Sequence, residues 1–108
     1  MKLKKDKYKK ARGGYSRLLE IKCEKCKNLI ALYQKDGPGP LKRMYVDRIF
    51  SPKKLVNFQL IATKKIPNLI CSKCKQIIGI PYIYQKEKRP AFRLFEGSIT
   101  KKITKSEL

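Results

Sequence analysis

Two short stretches, Cys23-Glu24-Lys25-Cys26 and Cys71-Ser72-Lys73-Cys74, hold all 4 cysteines of the chain. In each C-x-x-C pair the two thiols fall at one tight turn, close enough to grip a single ion. Two such turns brought together place four sulfurs in a tetrahedron, the geometry of a structural Zn²⁺. The spacing therefore predicts that Cys23, Cys26, Cys71 and Cys74 bind one zinc and pin two distant parts of the chain together. Other readings of these cysteines are weaker. Disulfides persist mainly in oxidising compartments, and nothing in the sequence reads as secreted. A thioredoxin-type motif needs a single C-x-x-C beside a β-α-β pattern, which this chain lacks. Unrelated buried thiols would not fall in two pairs of equal spacing.

The 108 residues predict one domain with basic extensions. A chain of this size has a limited core. A metal can supply what the core lacks, since structural zinc contributes apparent free energies on the order of 10–16 kcal/mol in small peptides. The charge is the second large signal. There are 28 Lys+Arg against 8 Asp+Glu and no histidine, a formal net charge of +20. Such a field opposes compaction unless a polyanion answers it. Nucleic acid is the commonest polyanion, and a strongly basic domain carries its electrostatic footprint. An anionic membrane surface would call for an amphipathic basic helix, and none is evident. No apolar run is long enough to span a bilayer. The basic N-terminus has no apolar h-region after it, so no secretory signal is expected. With thiols that look unpaired, this predicts a reducing, cytoplasmic setting.

Residues 1–16 read as a basic arm, disordered or ordered only by RNA. Lys2, Lys4, Lys5, Lys7, Lys9, Lys10 and Arg12 interleave with Tyr8 and Tyr15, which can stack on bases. Residues 17–97 read as a zinc-pinned β domain. Short apolar runs lead into and out of the first cysteine pair, as in a hairpin with the cysteines at its tip. Asp36-Gly-Pro-Gly-Pro40 then forces a stop. Leu41 to Phe50 reads as one strand, with Met44 and Val46 on one face and Arg43 and Tyr45 on the other. Ser51-Pro52 reads as the start of a short helix over 52–58, with serine as N-cap. Asn68–Ile70 enters the second cysteine pair and Gln76–Tyr84 leaves it. Gly79 and Pro81 suggest a bulge or an edge position in that strand. A last strand is expected over Ala91–Phe95, and residues 98–108 form a second basic extension. The expected fold is mainly β: zinc-ribbon-like hairpins joined by one four-cysteine zinc site, with one short helix.

The two halves repeat: Ile21-Lys-Cys-Glu-Lys-Cys-Lys-Asn-Leu-Ile30 against Ile70-Cys-Ser-Lys-Cys-Lys-Gln-Ile-Ile78. In these two stretches the chain resembles the zinc-ribbon proteins, in which two cysteine knuckles on β-hairpins share one zinc. Many such knuckles carry glycine after the second cysteine, where this chain has Lys27 and Lys75. Zinc ribbons occur in ribosomal proteins, transcription factors and polymerase subunits, so the resemblance implies a metal and a fold rather than a role.

Four thiolates close the metal site to a catalytic water. With no histidine and no paired carboxylates, no enzyme activity and no small-molecule substrate are expected. Lys22, Lys25, Lys27, Lys73 and Lys75 crowd the expected centre and offset its negative charge. Outside the arm, Arg17, Lys42, Arg43, Arg48, Lys53, Lys54, Lys64, Lys65, Arg89, Arg93, Lys101 and Lys102 are spread over strands and loops. A DNA reader concentrates its contacts on one element. Dispersed charge fits a protein embedded in folded RNA. By analogy with small zinc-binding ribosomal proteins, the expected role is structural: binding rRNA beside neighbouring ribosomal proteins. The alternative is a zinc-ribbon accessory factor docking on RNA polymerase, with Pro81–Phe95 as its docking face rather than core.

Overall fold

In a computed structural model, residues 3–4, 6–11 and 15–104 are described. The chain folds as two antiparallel four-stranded sheets, each carrying one cysteine pair. The first sheet contains β1 (Ser16–Cys23), β2 (Leu29–Asp36), β4 (Ile49–Ser51) and β8 (Ile99–Thr104), in the order β4-β2-β1-β8. The second contains β3 (Arg43–Tyr45), β5 (Leu69–Ile70), β6 (Ile77–Tyr84) and β7 (Arg89–Leu94), in the order β3-β7-β6-β5. The β1–β2 and β5–β6 hairpins are those the apolar runs predict, and each holds its cysteine pair in the connecting turn.

Alternation along β1 sends Leu19, Ile21 and Cys23 to the interior. They meet Ala31 and Tyr33 of β2, Ile49 of β4, Met44 of β3, Phe92 of β7 and Ile78 of β6 in one continuous apolar cluster. Burial pushes the Tyr33 phenol up, so it stays a neutral hydroxyl that accepts the Tyr45 backbone N–H at 2.8 Å. At Gly79 a Cβ would lie 2.6 Å from the Arg93 carbonyl oxygen, so only glycine lets β6 and β7 approach this closely. Pro81 lies beyond the reach of β5, where β6 is an outer edge and a missing N–H costs no ladder bond.

The expected single strand over Leu41–Phe50 is not formed. A 3-10 turn at Val46–Arg48 divides it, and its halves join different sheets. Arg48 is the cause. Its side chain is 1% exposed and ion-pairs with Asp36 at 2.9 Å and Asp6 at 2.6 Å. Burial opposes the Arg48 charge, but the two carboxylates outweigh it and hold the guanidinium protonated. The short helix α2 spans Lys53–Val56 with Pro52 rather than Ser51 at its N-cap, and 3-10 turns at Asn57–Leu60 and Thr63–Lys65 follow it.

Both extensions engage the core. Ile99–Thr104 is a full partner strand of β1, paired from Cys23↔Ile99 to Leu18↔Thr104. In the N-terminal arm, α1 (Lys7–Ala11) follows Asp6, and Lys4 exchanges hydrogen bonds with the buried Gln34 side chain. No helix among the described residues is long and apolar enough to cross a membrane.

The Arg48 hydrogen bond holds the Asp6 carboxyl down at about 2. A depressed carboxylate stabilises above its ordinary pKa of 3.8, and that contribution disappears as pH falls through about 2. At neutral pH, Asp6→Asn should reproduce the loss. We expect faster tryptic cleavage after Lys9 and Lys10 with an unchanged β-sheet circular dichroism signal; equal protection would show that Asp6 does not anchor the arm.

Candidate metal centre

The two cysteine turns are built alike. In the first, the Lys27 N–H bonds the Cys23 carbonyl at 2.8 Å and the Cys23 N–H bonds the Asn28 carbonyl at 2.9 Å. In the second, Lys75 to Cys71 and Cys71 to Gln76 repeat both bonds, each at 2.9 Å. Closing this loop requires a left-handed residue after the second cysteine. Lys27 adopts it at φ 65° and Lys75 at φ 66°, so lysine takes the conformation for which glycine is the usual choice.

The turns face each other. Cys23 Sγ lies 3.6 Å from Cys74 Sγ, and Cys26 Sγ lies 3.5 Å from Cys71 Sγ. All four sulfurs fall within 4.8 Å of one another. A disulfide needs about 2.05 Å, so all four are free thiols. A tetrahedron with metal–sulfur bonds of about 2.3 Å has edges of about 3.8 Å, which these separations bracket. The site can hold one metal ion.

The cluster's own chemistry points the same way. Burial pushes the Cys71 thiol up, but the N–H groups of Cys74 and Lys73 and the neighbouring thiols outweigh it and bring it to about 6. At Cys74 the Gln76 N–H favours the thiolate, yet burial and the other three sulfurs outweigh it and push the thiol up to about 11. Sulfurs this close cannot all ionise unless a cation sits among them.

Two residues that sequence spacing does not single out complete the surroundings. Asn28 donates from Nδ2 to Cys71 Sγ at 3.8 Å and to Ser72 Oγ at 3.3 Å, reaching from one turn to the other. Ser98, 4% exposed, accepts the Glu24 N–H at 3.0 Å and the Gln76 amide at 3.4 Å on its carbonyl, and its hydroxyl donates to the Ile78 carbonyl at 3.0 Å. Of the flanking lysines, Lys22 pairs with Glu20, Lys27 with Glu24, and Lys75 donates to the Ser72 carbonyl. Lys25 and Lys73 point to solvent.

The expected nucleic-acid contacts divide. Lys2, Lys5 and Arg12 lie outside the described residues. Lys7, Lys10, Arg17, Lys42, Lys53, Lys54, Lys64, Lys65, Arg93, Lys101 and Lys102 are exposed, as is Tyr15, whose hydroxyl accepts from Arg17. Lys4, Tyr8, Lys9 and Arg43 are half-buried. Arg48 and Arg89 correct the expectation, because both are interior. Arg89 is 3% exposed, sandwiched between the rings of Tyr8 at 3.9 Å and Tyr45 at 3.7 Å, and paired with Asp47 and Glu87. Its unbonded Nε lies in this stack, leaving the group no surface to offer a phosphate.

Compared with protein-family models, curated proteins and solved structures, the chain matches none.

Removing the Asn28 amide should weaken metal binding without removing a ligand. Asn28→Ala should lower affinity about tenfold or more in a competitive chelator titration, with stoichiometry kept at one ion per chain; unchanged affinity would make its contact with Cys71 incidental. The left-handed turn gives a second expectation. Lys75→Val should lower the thermal stability of the metal-loaded protein by about 1–2 kcal/mol, while Lys75→Gly should not lower it. Equal losses would show that the lysine charge, not the backbone, matters there.

Proposed function

We propose that the chain is a structural RNA-binding protein, ribosomal or ribosome-associated, whose four cysteines hold one Zn²⁺ in a cytoplasmic setting. Zinc is the ion that four thiolates in a closed tetrahedral set most commonly take. Such a site would hold the two sheets together and leave no position for a reacting water, so the role proposed is not enzymatic.

The observation that carries this reading is how the charges pair. Asp6, Glu20, Glu24, Asp36, Asp47 and Glu87 all form ion pairs, with Lys22, Lys27, Arg48 and Arg89. Of the 8 side-chain carboxylates in the sequence, that leaves Glu96, and Glu107 outside the described residues. The exposed lysines and arginines of α2, the following 3-10 turns, β7 and β8 therefore have no carboxylate partner among the described residues. They belong to several elements rather than one, and phosphates approaching from several directions would satisfy them. Folded rRNA presents phosphates in that way.

Binding to rRNA fragments should be steeply salt-dependent. With on the order of eight phosphates contacted, log K should fall against log[salt] with a slope of about −6 to −7. The purified chain should contain stoichiometric zinc and sediment with ribosomes in a low-salt gradient. Failure to sediment there, or a nearly flat salt dependence, would overturn the reading.

A further inference from the structure

The stretch Pro81–Phe95, expected as core, is core at Ala91 and Phe92 but leaves Tyr82, Tyr84, Arg93 and Phe95 partly or fully exposed. Residues Ile80, Tyr82 and Tyr84 of β6 alternate onto the same face as Arg93 and Ala91 of β7 and Arg43 of β3, following the register Ile80↔Arg93, Tyr82↔Ala91 and Arg43↔Arg93. This face and the start of β8 border an open groove of about 1300 Å³. Tyr82 and Tyr84 line it half-exposed, and Phe95, 47% exposed, lines it too.

The groove is organised around one arginine. Arg43 donates from Nε to the Tyr82 hydroxyl at 2.9 Å, and its guanidinium carbon lies 4.1 Å from the Tyr84 ring centroid. Tyr84 meets Tyr45 edge-on, with centroids 5.9 Å apart. The planar guanidinium and the two rings are thus held in place before any ligand arrives. Lys42, Arg93 and Lys101 also line the groove, against a single carboxylate, Glu96.

We infer that this groove is a stacking site for unpaired nucleotides of an RNA, with bases on the Tyr82 ring and the Arg43–Tyr84 stack and phosphates on Lys42, Arg93 and Lys101. The inference rests on the RNA reading above and narrows it to one surface. Unpaired bases expose π-faces that aromatic rings and guanidinium planes accept whatever the sequence. A duplex hides those faces and leaves the rings nothing to stack on. The cationic lining selects a polyanion over an apolar or basic peptide.

The test uses the full-length, metal-loaded chain with a fluorescent oligouridylate and a fully paired RNA duplex. Replacing both rings by Tyr82→Leu and Tyr84→Leu should weaken oligouridylate binding about tenfold or more while duplex binding stays unchanged. The Tyr82→Phe, Tyr84→Phe pair keeps the ring faces and should bind oligouridylate nearly as the parent does. Metal stoichiometry verifies the fold of each variant. Thiouridine cross-links should map to the segment carrying Tyr82 and Tyr84. Unchanged oligouridylate binding by the leucine pair, an equal loss for duplex and single strand, or cross-links confined to other segments would each overturn the assignment. So would a polyglutamate peptide whose binding depends on the rings as strongly, since that would mark a polypeptide-docking face. A chain that binds the duplex but not the oligouridylate sinks this inference alone. One that binds neither at low salt sinks the RNA reading as well.

Discussion

Four sulfurs drawn within 4.8 Å of one another are the constraint on which the rest depends. Negative charge cannot accumulate there without a cation, and burial makes it harder still. The two turns that supply the sulfurs belong to different sheets, one closing β1–β2 and the other β5–β6. An ion among them is therefore a cross-link between sheets. The polypeptide makes a second link of its own, where β3 in one sheet runs through the Val46–Arg48 turn into β4 of the other. Asn28 and Ser98 tie the turns and β8 to the same place. In a chain with a modest core, metal affinity of this kind is folding energy.

The second constraint is how few carboxylates there are, and where they go. Asp6 and Asp36 meet on Arg48, and Asp47 and Glu87 meet on Arg89, both arginines nearly without exposure. A buried arginine left unpaired costs several kcal/mol, so these acids are better placed there than facing surface lysines, where an ion pair is worth about 1 kcal/mol or less. Because Asp6 lies in the N-terminal arm, satisfying Arg48 also docks that arm. The interior is thus nearly neutral by pairing, and the surplus positive charge is left on the surface.

These particulars explain which parts of the molecule were legible in the sequence. The cysteine hairpins were, because their signal is local: thiol spacing and the apolar runs on either side. The edge position of Pro81 was legible for the same reason. The break in the strand over Leu41–Phe50 was not. Its alternation is regular, and the break shows only in the pairing, β3 with β7 of one sheet and β4 with β2 of the other. Arg89 looked like any surface arginine, since the Tyr8 and Tyr45 rings that enclose it come from two distant segments. Alternation in β6 and β7 shows that the strands have two faces, but not which face the rest of the chain covers. The basic–aromatic groove therefore read as core.

The lysines after each cysteine pair separate local geometry from its setting. One turn closes a hairpin whose first strand is central, flanked by both β2 and β8; the other follows β5, a two-residue edge strand. In these unlike settings the hydrogen bonds agree within 0.1 Å, and both lysines adopt the same left-handed backbone. A strain of about 1–2 kcal/mol at each lysine persists only where something fixes the loop around it. The sheets differ, so they are not the common cause. What the two turns share is the sequence C-x-K-C-K and the requirement that both sulfurs of each pair point at one centre. The closure of each loop by those two backbone hydrogen bonds is what holds its lysine left-handed, and the same closure aims both sulfurs of the pair at one centre.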